Sequence, residues 1–408
     1  MTQISTLPIE DDALPRGFRF AAVKAGIKPS GKLDFAVAVA DKPASAAALY
    51  TANKVKAAPL SVGAQHLTAS GGHVRVVAVN AGNANCATGE AGLAACRAVC
   101  AAAAQTFGVT GHEVFPSSTG IIGVPLPAEK LIAALPEIDR TLAADAAHFA
   151  AFSQAILTTD TRPKVAAAKI EVEGKTVRIA GVCKGAGMIH PQLVPHATML
   201  VYIFTDAAIV PPALSALLRD AVEVSFNRIS IDGDTSTNDT VLLLASGASG
   251  ATVETGNAAF AAALTEVCTS LAKQIVADGE GVTHVVELQI EGAASDADAL
   301  KVAKAIAHSP LVKTAWAGSD PNWGRLMAAT GYSGAEVEPD RIAIWFGDQQ
   351  ICAHGGRAPD FDEQRAHAYL KNPEFTIRIA LGIGQGHCRF WTTDLTAEYV
   401  HINADYST

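Results

Sequence analysis

The sequence predicts a mixed α/β protein in which α+β layers of strands and helices alternate. Three observations carry this expectation. An apolar run of strand length, 199–204, stands in the same chain as long alanine-rich helical stretches at 89–107 and 258–278. Hydrophobic residues make up 49% and charged residues 17% of 408 positions, the balance of a well-buried globular body with more than one sizeable core. No fixed-period repeat and no low-complexity linker interrupts the chain.

Taken in order, residues 1–20 read as an irregular arm. Between 20 and 79 short strands alternate with turns, among them 33–39 and 73–79. The second ends in NAGNAN (80–85), whose Asn and Gly residues tolerate left-handed backbone angles. Residues 89–107 form a helix with Glu90 well placed for its N-terminal dipole. FPSSTGIIG (115–123) is a loop, and 128–157 reads as helices closing on LTTDT (157–161). The alternating runs 165–172 and 175–182 flank Glu173-Gly174, a hairpin signal. A helix over 212–226 follows, then strand, acidic loop and strand over 229–245, with DGDTSTND at 232–239. The helix 258–278 closes on Gly279-Glu280-Gly281. A strand at 285–290, a helix over 295–307 and the segment 309–326 make a further α/β unit. Strands at 341–346 and 375–380 precede the glycine-rich stretch 382–396 and a tail.

Net charge −9 and the lack of any Lys/Arg cluster argue against nucleic acid as a partner. Seven scattered cysteines without a C-x-x-C pair suit reduced thiols of a cytoplasmic protein. Cys96 and Cys100, four apart on a helix, could share a metal. No His or carboxylate set accompanies them, so buried packing is the expectation and no metal is called for. The acidic N-terminus has no signal-peptide pattern, and no stretch reads as a membrane span.

The stretch 184–206, KGAGMIHPQLVPHATMLVYIFTD, draws attention as chemistry. A glycine turn and a proline-punctuated loop run into a buried strand, and Thr198 stands at the junction behind small Ala197. A hydroxyl there could attack its own preceding carbonyl and free a Thr whose α-amine, titrating near ~8, acts as base for that hydroxyl. The plain alternative is a threonine that merely begins a strand. Other motifs fail on spacing. Asp232-x-Asp234 lacks the Gly and Glu of a calcium loop, since Thr237 and Leu243 stand there. Gly174-Lys175-Thr176 lacks the first glycine of a phosphate loop, and 382–386 lacks dinucleotide-turn spacing.

Nine blocks then carry a resemblance: VNAGNANCATG (79–89), SSTGIIG (117–123), LTTDT (157–161), KGAGMI (184–189), ATML (197–200), FNRISIDGDTSTNDT (226–240), DGEG (278–281), SDPNWGR (319–325) and INADYST (402–408). With them the chain resembles, throughout its length, the glutamate N-acetyltransferase / ornithine acetyltransferase family of arginine biosynthesis. The resemblance implies a self-cleaving N-terminal-nucleophile architecture with intertwined α and β chains. Cleavage between Ala197 and Thr198 would give an α chain of residues 1–197 and a β chain of residues 198–408, assembled as α2β2. It further implies Thr198 as the nucleophile passing acetyl from N-acetylornithine to glutamate. Thr119 and Gly120 would form the oxyanion hole, and Thr158, Lys184, Thr198, Glu280, Asn403 and Thr408 would bind substrate. No cofactor is implied, and whether acetyl-CoA also serves as acetyl donor stays open. One departure stands beside the cleavage point: HPQLVPH (190–196) is about three residues longer than is usual in the family, an insertion that a loop absorbs cheaply. A self-cleaving aminopeptidase or amidase, and a non-enzymatic homologue, are the competing readings.

Overall fold

The run 200–205 is apolar almost throughout because both faces of its strand are buried. In the computed structural model, which describes residues 4–6, 8–190 and 199–405, this strand lies in the middle of a nine-stranded mixed sheet. The strands are β1 (Ile4–Ser5), β2 (Phe18–Val23), β3 (Phe35–Tyr50), β4 (His73–Asn83), β5 (Val114–Ile121), β6 (Lys164–Val172), β7 (Lys175–Lys184), β8 (Leu200–Thr205) and β9 (Thr240–Ala245). Their order is β1-β6-β7-β8-β9-β3-β4-β5, with β2 also beside β3. β8 runs parallel to β9 and β4 parallel to β5; the other neighbours are antiparallel. The two strands contributed from beyond residue 198, β8 and β9, are therefore inserted between β7 and β3.

Side chains alternate across this sheet as the two-residue period requires. Val201, Ile203, Val241 and Leu243 pack on one face against Leu214 and Leu218 of the helix Pro211–Glu223 and Leu264 and Leu271 of the helix Ala258–Val276. Tyr202, Phe204, Leu242 and Leu244 pack on the other against Phe20, Phe149 and Phe152. Phe20 meets Phe149 edge-on at 4.9 Å, and truncating such a buried ring costs about 3–5 kcal/mol. A second, six-stranded sheet follows in the chain: β10 (Val285–Ala293), β11 (Ala343–Phe346), β12 (Gln349–Ala353), β13 (Gly356–Arg357), β14 (Glu374–Ala380) and β15 (Gly386–Thr393), in the order β13-β12-β11-β14-β10-β15. It has its own core, with Val302 and Ile306 of the helix Asp296–Ala307 against Leu288, Ile377 and Phe390.

Several local expectations hold closely: the helix Gly89–Phe107, the hairpin β6–β7 with Glu173 and Gly174 both at positive φ, and the strand β8. Others need correction. The arm 1–20 pairs β1 with β6 and supplies the start of β2. The helix Ala58–Ala69 stands where strands and turns were expected, opened by Pro59, which is preorganised for a first helical turn. Ile229 makes a single bridge to Trp391 rather than a strand, the glycine-rich stretch 382–396 contains β15, and the tail falls largely in the helix Ala397–Asp405. The helix Ala258–Val276 has the length and apolar composition of a membrane span, contrary to the expectation that no stretch does. Its Phe260, Leu264, Val267 and Leu271 face the core, which accounts for that composition. Cys96 and Cys100 are buried beside Val99 and Leu131.

Candidate active site

Blocks that are scattered in sequence converge because they lie at strand ends on one side of the central sheet. Thr119 and Gly120 close β5, Lys184 closes β7, and Leu200 opens β8. Together with Thr158, Glu280 and Asn403 they line one cavity of about 140 Å³. Every expected site residue among the described ones is in it. Ala197, Thr198 and Thr408 lie outside the described residues, but Ile189 and Met199, close to either side of the segment 191–198, both line the cavity.

At Gly120 the parallel ladder with β4 breaks register: Gly82 pairs with Gly120, whereas Asn83 pairs with both Thr119 and Ile121. Irregularities of this kind re-aim backbone groups and are frequent beside active sites. The residue must be glycine, because φ is +130° and an added Cβ would stand 2.3 Å from the Gly82 carbonyl carbon. The end of β4 and the residues just after it, NAGNAN (80–85), brace this irregularity. Ser118 Oγ donates to Asn80 Oδ1 at 2.6 Å, and Asn80 Nδ2 donates to the Asn83 carbonyl at 2.8 Å. Asn238, from the acidic loop, donates through Nδ2 to the Ala84 and Ser118 carbonyls at 2.6 and 2.8 Å. Thr119 is thus buried at the cavity wall, beside backbone carbonyls held by the Asn80 and Asn238 side chains.

Lys184 Nζ reaches Thr119 Oγ1 at 3.4 Å. The glycine turn that follows is tied down by two carboxylates. Asp160 accepts from the Gly185 amide at 2.6 Å, and Asp232 accepts from the Met188 and Ile189 amides at 2.6 and 2.8 Å. Burial alone would push the Asp160 carboxyl up, but Lys184 and Lys164 outweigh it and hold the group well below the usual range. Asp232 goes the other way: burial raises it despite the amide hydrogen bonds. The Tyr399 hydroxyl donates to Asp232 at 3.3 Å, and burial, with that carboxylate beside it, pushes the phenol up. Glu280 packs so closely on Gly187 that a Cβ there would meet its Oε2 at 2.5 Å. Its carboxylate accepts from Asn403 Nδ2 at 2.9 Å, which joins the C-terminal helix to the site. The cavity therefore offers the Lys184 cation, the Thr119 and Thr158 hydroxyls and a backbone turn, together with the Glu280 carboxylate and the Asn403 amide. That set suits a small zwitterionic ligand.

Sequence reasoning missed Asp160, Lys164, Asp278, Asp232 and Tyr399. The first, third and fourth lie inside LTTDT, DGEG and FNRISIDGDTSTNDT, so the signal was present without a role attached. Lys164 and Tyr399 lie in none of the nine blocks. Among the described residues no group of three or more His, Cys, Asp and Glu side chains is placed to hold a metal ion.

The chain is similar to known proteins over nearly its whole length. The family model described as the ArgJ family matches residues 19–408. The arginine biosynthesis bifunctional protein ArgJ of Geobacter sulfurreducens is 47% identical over 397 residues, covering 96% of this chain and 99% of that protein. The protein of the same name from Ruegeria pomeroyi is 46% identical over 402 residues, 98% of this chain and 96% of its own. Among solved structures, the ornithine acetyltransferase of Mycobacterium tuberculosis in complex with ornithine is 36% identical, with a TM-score of 0.43, and covers 47% of this chain and 99% of its own.

Proposed function

The chain belongs to the ArgJ family, and from that premise we propose how it works: it transfers acetyl from N-acetylornithine to glutamate through an ester on Thr198. It is an acyltransferase of arginine biosynthesis. The observation that supports the residue roles is the convergence of Thr119, Gly120, Thr158, Lys184, Glu280 and Asn403 on one cavity beside the segment 191–198.

In this reading the precursor first cuts itself between Ala197 and Thr198. The Thr198 hydroxyl attacks the Ala197 carbonyl carbon, the C–N bond breaks, and water hydrolyses the resulting ester. Residues 1–197 and 198–408 become the α and β chains of an α2β2 enzyme in the cytoplasm. The freed α-amine of Thr198 then takes the proton of its own hydroxyl as Oγ attacks the acetyl carbonyl of N-acetylornithine. The Thr119 hydroxyl and the Gly120 amide donate to the developing oxyanion, each worth about 3 kcal/mol of barrier. The C–N bond to ornithine breaks and its nitrogen leaves with a proton. Glutamate's α-amine attacks the Thr198 ester, releasing N-acetylglutamate and restoring the hydroxyl. Lys184 and Thr158 hold the substrate's α-carboxylate, Glu280 its side-chain amine, and Asn403 and Thr408 complete the pocket. The chemistry needs no cofactor; acetyl-CoA as a second donor is decided by assay.

The test is the intact mass of the denatured protein beside Thr198→Ala. Two fragments breaking before Thr198 in the wild type, and one whole chain in the variant, are expected. An uncut wild-type chain would remove the nucleophile from the mechanism. Acetyl transfer to glutamate, scored against release of free acetate, separates this activity from an amidase.

A further inference from the structure

Thr158, Lys184 and Glu280, three of the residues proposed to bind substrate, stand on separate segments, and one buried lysine connects these three. Lys164, at the start of β6, has a fully buried side chain. Its ammonium donates to Asp160 Oδ1 and to Asp278 Oδ2, both at 2.6 Å, and these carboxylates are likewise shielded from water. Asp160 accepts in addition from the Thr158 amide at 3.0 Å and from the Gly185 amide at 2.6 Å. It therefore clasps the backbone of Thr158 and the residue following Lys184 in one carboxylate. Asp278 accepts from the Thr161 amide at 3.1 Å and from the Thr161 hydroxyl. Two residues later Glu280 donates its amide to the Ala186 carbonyl at 3.0 Å, back in the glycine turn.

We propose that Asp160, Lys164 and Asp278 are positioning residues: a buried clamp that fixes the separation between the carboxylate-binding end of the cavity, at Thr158 and Lys184, and the amine-binding carboxylate of Glu280. This deepens the function proposed above and rests on its assignment of Lys184 and Glu280. None of the three needs to touch substrate. A diamino acid has a set distance between its α-carboxylate and its terminal amine, so a rigid separation in the protein selects chain length. The clamp is suited to that task because buried charges hold their geometry only when fully paired, and here each of the two carboxylates answers the lysine and at least two further donors.

The experiment compares Lys164→Met, Lys164→Arg and the milder Thr161→Val in the full-length enzyme, with Lys184→Ala as a reference. Amide hydrogen exchange at Thr158, Gly185 and Thr161 reads the clamp itself; KM reads its consequence and, unlike apparent kcat, does not depend on how much of the sample is folded. For Lys164→Met, faster exchange and a KM for N-acetylornithine raised about tenfold are expected, with a smaller loss in kcat. Discrimination against N2-acetyllysine, one methylene longer, should narrow by about tenfold, within what a single methylene is worth. Lys164→Arg should recover part of both, and Thr161→Val should raise KM about threefold, as loss of one partner from a network does. If Lys164→Met does not fold, Thr161→Val carries the test alone. Unchanged exchange overturns the clamp, and faster exchange with unchanged KM and discrimination overturns its positioning role. If KM is also unchanged in Lys184→Ala, the failure lies in the substrate assignment.

Discussion

Lys184 donates to the Thr119 hydroxyl at 3.4 Å and so joins the end of β7 to the end of β5 across the cavity. A hydroxyl that accepts from a cation keeps its own proton for another partner, and the positive charge strengthens it as a donor. Thr119→Val should therefore lower kcat about a hundredfold with little change in KM, as loss of one oxyanion donor does. Lys184→Met should raise KM and lower kcat together. Steady-state acetyl transfer distinguishes the two patterns, and equal effects on KM would remove Thr119 from the oxyanion hole.

Gly120→Ala should be more damaging than its single methyl suggests. The positive φ is unfavourable for any L side chain, and the new Cβ would overlap backbone of the neighbouring strand. The combined strain should exceed about 2 kcal/mol. Gly123→Ala also sits at positive φ but meets nothing within 4 Å, so it isolates the backbone cost from the clash. Thermal denaturation of the pair measures the difference; equal melting temperatures would mean that β4 yields at Gly82.

Asp232 holds the Met188 and Ile189 amides shortly before the segment that leads to Thr198. Replacing it by Ala frees two donors in a tight turn and releases Tyr399. The proposed self-cleavage should then slow several-fold, about what one or two lost hydrogen bonds are worth. The ratio of whole chain to fragments after a fixed time, on a denaturing gel, gives the answer, and an unaltered ratio would restrict Asp232 to the mature site.

Lys313 supplies a pH signature. It is buried, donates to the Thr392 hydroxyl at 3.3 Å and to the Thr393 hydroxyl at 3.1 Å, and burial lowers its pKa to about 7 against the pull of Asp394 and Asp232. Between about 7 and the ordinary lysine value near ~10.4, the unfolded chain holds a proton that the folded one has released. Raising the pH through that window therefore stabilises the fold, and lowering it toward 7 removes the gain. Lys313→Met should flatten this dependence in denaturant titrations across the window. An unchanged slope would assign it to other groups.

The chemistry of the site was legible where residue types were unusual in combination. Thr119, Gly120, Lys184 and Glu280 sit in glycine-rich blocks that no ordinary surface loop requires, and all four line the cavity. The supporting charges were not. Lys164 opens a strand of alternating pattern, where a lysine reads as solvent-facing; its pairing with Asp160 and with Asp278, 114 residues away, places it inside. The helix Ala58–Ala69 escaped for a related reason: Val, Thr and Gly within it weaken the local helical signal, and packing of Leu60 and Val62 decides the matter. The strand β15 escaped because its glycine-rich entry masks an apolar stretch that pairs with β10.

The insertion of β8 and β9 between β7 and β3 bears on how long the enzyme lasts. On the cleavage proposed above, β8 belongs to one fragment and β7 and β3 to the other, so the two pieces share a single sheet and cannot part without opening its centre. Before the cut, recovery from unfolding is an event within one molecule; afterwards it requires two chains to meet, and depends on their concentration. The mature form would persist because it comes apart slowly, rather than because it re-forms readily. Denatured precursor and denatured mature enzyme should then differ in recovery on dilution although their native folds are the same.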